Sequence, residues 1–270
     1  MKLKIISFCL LFVVIFISCK KEPTLNDGNS GALLLSKVII DNQTYYEYSY
    51  NSANLISEEK SNFDFKKHNY NANNQVVSTD YYGNNDILNG DPNVFQTAFS
   101  RDVMVTPDNG SKEGTFNYKY NDNEQLIKST YSRTSSVNSE YSEFSYDVNN
   151  RISTQTLYWN NKETGYIDYA FDGKGNLIKE NLYNLSTTGV AELSTTTQYE
   201  FDNKQNPYQS FSKLMTPGIN TNQNNIIKET YTIHLTANLG GDNVQVTQTS
   251  YTYNSKGYPI TKNGNVEYVY

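Results

Sequence analysis

Asp172 opens the stretch FDGKGNLIKE, Phe171 to Glu180, and an acid followed by two glycines and an asparagine could hold calcium, cradle a phosphate or reverse the chain. Calcium requires several oxygen ligands at alternate positions, and Lys174 stands where a second acid is wanted. A phosphate cradle needs a glycine-rich backbone leading into a helix, whereas NLIKENLY reads as strand. A turn is the reading these residues support. The two histidines, His68 and His234, lie in separate strand-like runs with no acid or nucleophile at a recognisable spacing, and two are too few for a three-histidine zinc site. Each reads as a strand side chain with a satisfied nitrogen. No GxSxG occurs, and a carboxylate pair for glycoside hydrolysis depends on a separation in space that no spacing in sequence supplies. These residues point to no catalytic group, no metal ligand and no cofactor.

Trp159, the single tryptophan, stands in TLYWNNKETGY with Tyr158 beside it. Adjacent strand residues face opposite sides, so Tyr158 and Trp159 cannot both enter a core if one face is wet. Two readings follow. In the preferred one Trp159 fills the core while Asn160 and Asn161 turn the chain; in the other an exposed Trp159, with Tyr158, stacks on a sugar ring at a hairpin tip.

The elements that would position these residues come from an internal repeat. FDGKGNLI from Phe171 aligns with YNDNEQLI from Tyr120, YDVNNRIS from Tyr146, YNANNQVV from Tyr70, FDNKQNPY from Phe201 and YNSKGYPI from Tyr253, and YNSANLI from Tyr50 fits with one residue deleted. Two residues before the aromatic stands another aromatic, at Tyr48, Tyr118, Phe144, Tyr169, Tyr199 and Tyr251, with His68 in that place before Tyr70. Positions i and i+2 share a strand face, the Asn or Asp caps a turn through its side-chain oxygen, and Gly, Asn or Lys in the loop tolerates positive φ. The aliphatic pair, as in Leu126 and Ile127, begins the return strand, so each unit is a hairpin. The tyrosines read as cross-strand pairs that stabilise the sheet. Two long intervals carry insertions. In the first, Asp91 and Pro92 form a helix-start signal. The second splices a loop into one hairpin between Pro207 and Asn225.

The fold expected is all-β: an antiparallel meander of repeated hairpins curled into an open barrel or a strongly twisted sheet, with a closed barrel or a small YD-like shell as the alternative. The units resemble the tyrosine-aspartate repeats of RHS and teneurin proteins, which have a tighter YDxxGRL core and more copies. Over nearly the whole mature length the chain resembles YD-repeat-like lipoproteins of Bacteroidetes, through FDNKQNPY from Phe201 and NNIIKE from Asn224. That resemblance implies a cell-envelope β protein and hands over no catalytic residues.

Lys2 and Lys4 precede an apolar run from Ile5 to Ile17 that ends in ISCKKEP, the form of a secretory signal too short to span a bilayer. It resembles bacterial lipoprotein signals, departing from them at Phe16. The resemblance implies that residues 1–18 are removed and that Cys19 becomes the lipid-bearing first residue. Residues 19–31 then form the lipidated cysteine and a flexible tether, and 32–270 a single β-repeat domain. Cys9 leaves with the signal, so no disulfide or thiol chemistry remains. Several acyl chains give durable anchoring, and the absence of aspartate after Cys19 implies, by the same resemblance, the outer membrane. The mature chain keeps 20 basic against 28 acidic side chains, a surface that repels nucleic acid. The 24 Tyr and 12 Phe favour strands. A lipid-anchored envelope protein with a glycan or another envelope protein as partner, and no enzymatic role, is the leading expectation. A periplasmic carrier of an apolar ligand and a carboxylate-dependent glycan-acting enzyme are the alternatives.

Overall fold

In the computed structural model, residues 33–84, 103–214, 217–218, 221–235 and 240–270 are described here; the signal, Cys19, the tether and the Asp91–Pro92 helix start lie outside them. Among the described residues seventeen strands form one antiparallel sheet: β1 (Lys37–Ile40), β2 (Gln43–Tyr50), β3 (Ile56–Ser61), β4 (Asp64–Tyr70), β5 (Val76–Asn84), β6 (Gly110–Tyr120), β7 (Leu126–Arg133), β8 (Glu140–Tyr146), β9 (Ile152–Trp159), β10 (Lys162–Phe171), β11 (Leu177–Leu185), β12 (Ala191–Phe201), β13 (Ile226–Ile233), β14 (Asn243–Gln248), β15 (Tyr251–Tyr253), β16 (Pro259–Lys262) and β17 (Val266–Val269). Successive strands pair from β1 through β14 and from β15 through β17, and β17 pairs back onto β1. No ladder joins β14 to β15, so the sheet is open and curved. The chain itself links its two edges through Thr249 and Ser250: the Thr249 amide still donates to Ile227 of β13, while the Ser250 carbonyl already accepts from Asn263 beyond β16.

All seven repeat loops turn at one end of the sheet, and they share one hydrogen-bond design. The side-chain oxygen of the Asn or Asp accepts from the amides two and four residues on: Asn51 from Ala53 and Leu55, Asn71 from Asn73 and Gln75, Asn121 from Asn123 and Gln125. Asp147, Asp172 and Asn254 repeat the arrangement. The fourth residue of the loop has positive φ at Asn54, Asn74, Glu124, Asn150, Gly175 and Gly257. Lysine, expected to share that role, does not take it among the described residues: Lys174 and Lys256 occupy the position before it, and Glu124 adopts the left-handed conformation instead.

Each return strand contains a bulge that explains the aliphatic pair. Lys119 faces Lys128 and Tyr120 faces Leu126, which leaves Ile127 without an opposite residue. The same shift leaves out Val77 in β5 and Ile178 in β11. The extra residue resets the alternation, so the first aliphatic turns to the face carrying the motif aromatic and the second turns away. Val76 and Leu177 are fully buried, whereas Val77 and Ile178 are 36% and 37% exposed. Ile56, Val76, Leu126, Ile152 and Leu177 thus form a buried row along the loop end.

The motif tyrosines add a tie between units. The hydroxyl of Tyr70 donates to the carbonyl of Ile56, that of Tyr120 to Val76 and that of Tyr146 to Leu126, at 2.7, 2.9 and 3.0 Å. Each reaches the start of the preceding return strand, where a buried carbonyl needs a partner. Tyr50 does the same to Leu35 and Tyr270 to Pro259. Cross-strand stacking is also present, with ring centroids 4.3 to 4.6 Å apart for Phe116–Tyr131, Tyr141–Tyr158 and Tyr166–Tyr183.

The spliced loop is real. Asp202 Oδ1 accepts from Lys204 as usual, but its second amide comes from Asn225 across the insertion. Asn225 Nδ2 donates to Asp202 Oδ2, as Asn176 Nδ2 does to Asp172 Oδ2. Between these points the chain forms a 3-10 helix, Gln209–Leu214. Phe211 is buried, with its ring 5.0 Å from Tyr48, and Ser210 meets the Tyr50 hydroxyl. The insertion therefore reaches from the β10–β11 turn to β2, and the face it covers is the inner one. Leu35, Val38 and Tyr268 form the apolar cluster beside it.

Candidate functional site

Asp172, where a ligand loop was conceivable, is occupied by its own turn. Its carboxylate accepts from the amides of Lys174 and Asn176 and from Asn176 Nδ2, at 2.8 to 3.0 Å. Burial raises its pKa, but these donors outweigh that and hold the carboxyl below its ordinary range. A saturated carboxylate holds the chain and leaves nothing for a cation.

Trp159 is 42% exposed, so it does not fill the core; the preferred reading of that residue fails because β9 ends at the open end of the sheet, away from the buried row. Asn160 and Asn161 both have positive φ and make the tight turn into β10. Trp159 and Tyr158 face opposite sides, opposite Glu140 and Tyr141 respectively, so they do not make one two-ring platform. Tyr158 stacks on Tyr141, and Lys128 Nζ sits 3.4 Å from the centre of the Tyr141 ring.

Both histidines have a carboxylate and a threonine hydroxyl as partners, which linear spacing concealed. His68 is buried, with Nδ1 2.9 Å from Thr79 Oγ1 and Nε2 3.0 Å from Glu59 Oε1. Burial pushes the Glu59 carboxyl up, but the hydrogen bond from His68 and the nearby Lys66 charge together more than offset this, so its pKa is lowered. His234 meets Asp242 through Nδ1 and Thr196 through Nε2, each at 2.9 Å. These sets mimic a nucleophile relay in composition, yet Thr79 and Thr196 are themselves buried and Thr196 Oγ1 also donates to Asn181. Neither set borders the cavity described next. The signal that could have found them was strand register: Glu59 faces Lys66 across the β3–β4 hairpin, which puts it on the His68 face.

The concave site lies under the insertion. A cavity of about 370 Å³ is enclosed by the inner face of β12 to β17 and by the two limbs of the spliced loop. Tyr199, Tyr208, Tyr251 and Tyr268 supply rings, Thr247 and Thr249 hydroxyls, and Glu229 and Lys262 charges. The asparagines in its wall hold the insertion. Asn206 Nδ2 donates to the Asn222 carbonyl at 2.8 Å, and its Oδ1 accepts from the Tyr208 amide. Asn176 Oδ1 accepts from the amides of Gln223 and Asn224. Asn222 is 1% exposed, and its Oδ1 accepts from the Leu177 amide at 2.8 Å, but its Nδ2 has no partner. A buried amide donor without an acceptor costs about 1–3 kcal/mol, a cost carried where the insertion packs onto the sheet. Burial raises the Tyr208 hydroxyl pKa well above its ordinary value, keeping that phenol neutral. Sequence reasoning located the insertion but not this cavity, because Glu229, Thr247 and Lys262 come to one cavity only through the pairing of β13 with β14 and of β15 with β16.

No protein-family model matches the chain, and no curated protein matches it. Among solved structures it is similar to a porin-like protein from Bacteroides uniformis, at 12% identity and a TM-score of 0.40 over 87% of this chain and 97% of that one. It is also similar to a protein of unknown function from Bacteroides fragilis, at 11% identity and a TM-score of 0.26 over 68% and 91%. The TcdB2–TccC3 structure matches at 12% identity and a TM-score of 0.30, over 78% of this chain and 10% of that one. At such identities and TM-scores the likeness carries nothing on function.

Proposed function

We propose that the protein is a non-enzymatic binding component of the cell envelope, anchored at the outer membrane through lipid on Cys19, and that it takes a hydroxyl-rich ligand, a glycan, in the cavity under the insertion. The observation that carries this reading is the wall of that cavity, where tyrosine rings lie among threonine hydroxyls and two charged side chains. Flat rings receive the C–H faces of a sugar while the polar groups take its hydroxyls. An apolar cargo would leave Glu229 and Lys262 without partners, which argues against the carrier reading. Two-carboxylate glycoside hydrolysis has only Glu229 to draw on among the lining residues.

The test is equilibrium binding of soluble mono- and disaccharides to the full chain in detergent, comparing the native protein with Thr247→Trp, which fills the cavity from an exposed strand, and with Trp159→Ala. Loss of saturable binding in Thr247→Trp alone supports the cavity. Loss in Trp159→Ala alone moves the site to the β9–β10 tip. For the anchor, Cys19→Ala should release a folded protein from membranes, and retention of that variant would sink the lipoprotein reading.

A further inference from the structure

The cavity holds two charges of opposite sign that do not neutralise each other. Among the described residues neither the Glu229 carboxylate nor the Lys262 ammonium has a hydrogen bond or an ion pair, although eleven other such pairs are formed elsewhere in the protein, His included, in the same sheet. Register explains why they stay apart. Glu229 of β13 faces Thr247, and Lys262 of β16 faces Tyr251. Thr247 and Tyr251 belong to the same run of chain, four residues apart, a separation of about 13 Å along an extended strand. Glu229 and Lys262 therefore flank the cavity at offset positions on opposite sides of the run from β14 into β15, beyond the reach of a direct salt bridge. Both are half-buried, and the space between them is open.

We infer that the ligand of this cavity is zwitterionic, with an ammonium that meets Glu229 and a carboxylate that meets Lys262 at opposite ends of one small molecule. This rests on the glycan reading above and narrows it to sugars that carry both an amine and an acid. The tyrosine rings suit the ammonium end as well as the ring faces, since a cation over a phenol ring is attracted by its quadrupole.

The experiment is calorimetric titration of the full chain in detergent at pH 7 with five probes: glucose, glucosamine, glucuronic acid, a disaccharide of glucosamine linked to glucuronic acid, whose two charges lie on different rings, and tetraglycine. The disaccharide should bind tightest, with glucosamine and glucuronic acid intermediate and glucose weakest, each charged contact being worth about tenfold. Glu229→Gln should bring glucosamine down to the level of glucose and leave the gain from the carboxylate intact. Lys262→Met should do the converse. Both side chains lack protein partners, so both variants should fold. Equal binding of glucose and the disaccharide would overturn the inference and leave the glycan reading standing. Tetraglycine matching the disaccharide, with the same response to the two variants, would support the charge pairing and overturn the sugar reading. No binding by any probe would overturn both.

Discussion

At the end of the sheet where the repeat loops turn, every hairpin closes with one side-chain oxygen on two amides and one bulge, and five of the seven add a buried aliphatic; at the opposite end the connections share no such unit. There β9 and β10 meet through two asparagines at positive φ, β7 and β8 through the exposed residues around Val137, and β11 and β12 through a Ser186 turn. The difference separates what holds the molecule from what it can vary. Local hydrogen bonds and a row of buried side chains support each other at the loop end, so a change there spreads to the neighbouring unit through the tyrosine ties. At the other end a residue such as Trp159 is held by its strand alone and can be exchanged with little structural consequence.

The comparison can be broken most forcefully at Leu177, whose side chain is fully buried and whose amide anchors Asn222. Leu177→Ala should cost about 2–5 kcal/mol in denaturant unfolding, whereas Ile178→Ala next to it, on the outward side of the bulge, should cost less than about 1 kcal/mol. Equal effects would mean that the bulge does not sort the pair as described. Asp172→Ala removes the acceptor for two loop amides and should cost about 1–3 kcal/mol by the same measurement.

The aspartate turns also set an acid limit. Asp172 and Asp147 have lowered pKa values in the fold: in Asp172 burial is outweighed by the Asn176 donors, and in Asp147 the Arg151 amide and guanidinium are responsible. A carboxyl lowered in the folded state stabilises it above the unfolded value, about 3.9, and that contribution is lost as pH falls through the folded value. Stability should therefore decline below about pH 4. Asp172→Asn, which keeps an oxygen for both amides as Asn51 and Asn254 do, should lose less stability between pH 5 and pH 3 than the native chain, and an unchanged slope would remove Asp172 from the explanation.

Tyr120→Phe takes away one inter-unit tie and should cost about 0.5–1.5 kcal/mol. The molecule contains its own control, since Phe171 and Phe201 fill the same place with no hydroxyl to donate. The smallest effect is expected at the open end, where Trp159→Ala should change stability by no more than about 0.5 kcal/mol; a larger loss would show that this end is packed more tightly than its exposure indicates.

The hairpins, their shared turn and the splice at Asn225 were legible in the sequence because they depend on residues within a few positions of one another. Asn or Asp two residues before an amide it can reach is local chemistry, and the alternation of Tyr118 and Tyr120 is local geometry. The bulge was not legible, because Leu126 followed by Ile127 looks the same whether both continue the strand or one is pushed out of register. Nor were the tyrosine ties, which connect a side chain to a backbone atom of the previous unit. The Glu59–His68–Thr79 set spans three strands, and the cavity needs β13, β14, β16 and the insertion together. Trp159 misled for a related reason: a large aromatic in a strand is usually a core residue, and only the strand's end position exposes it.

The pairing of β1 with β17 has a consequence in time. The Ser36 amide and hydroxyl both meet the carbonyl of Val269, 233 positions further along the chain. Every other neighbouring pair of strands can form as soon as its hairpin has emerged, but this one must wait for the last residues and then close the longest loop the domain possesses. Until that happens Leu35 and Val38 lack the Tyr268 ring that covers them, and the near-complete chain carries an unpaired edge at β1. The interval between synthesis of β16 and capture of β17 is thus the stretch of the protein's life in which it is most open to cleavage and to pairing with the wrong strand.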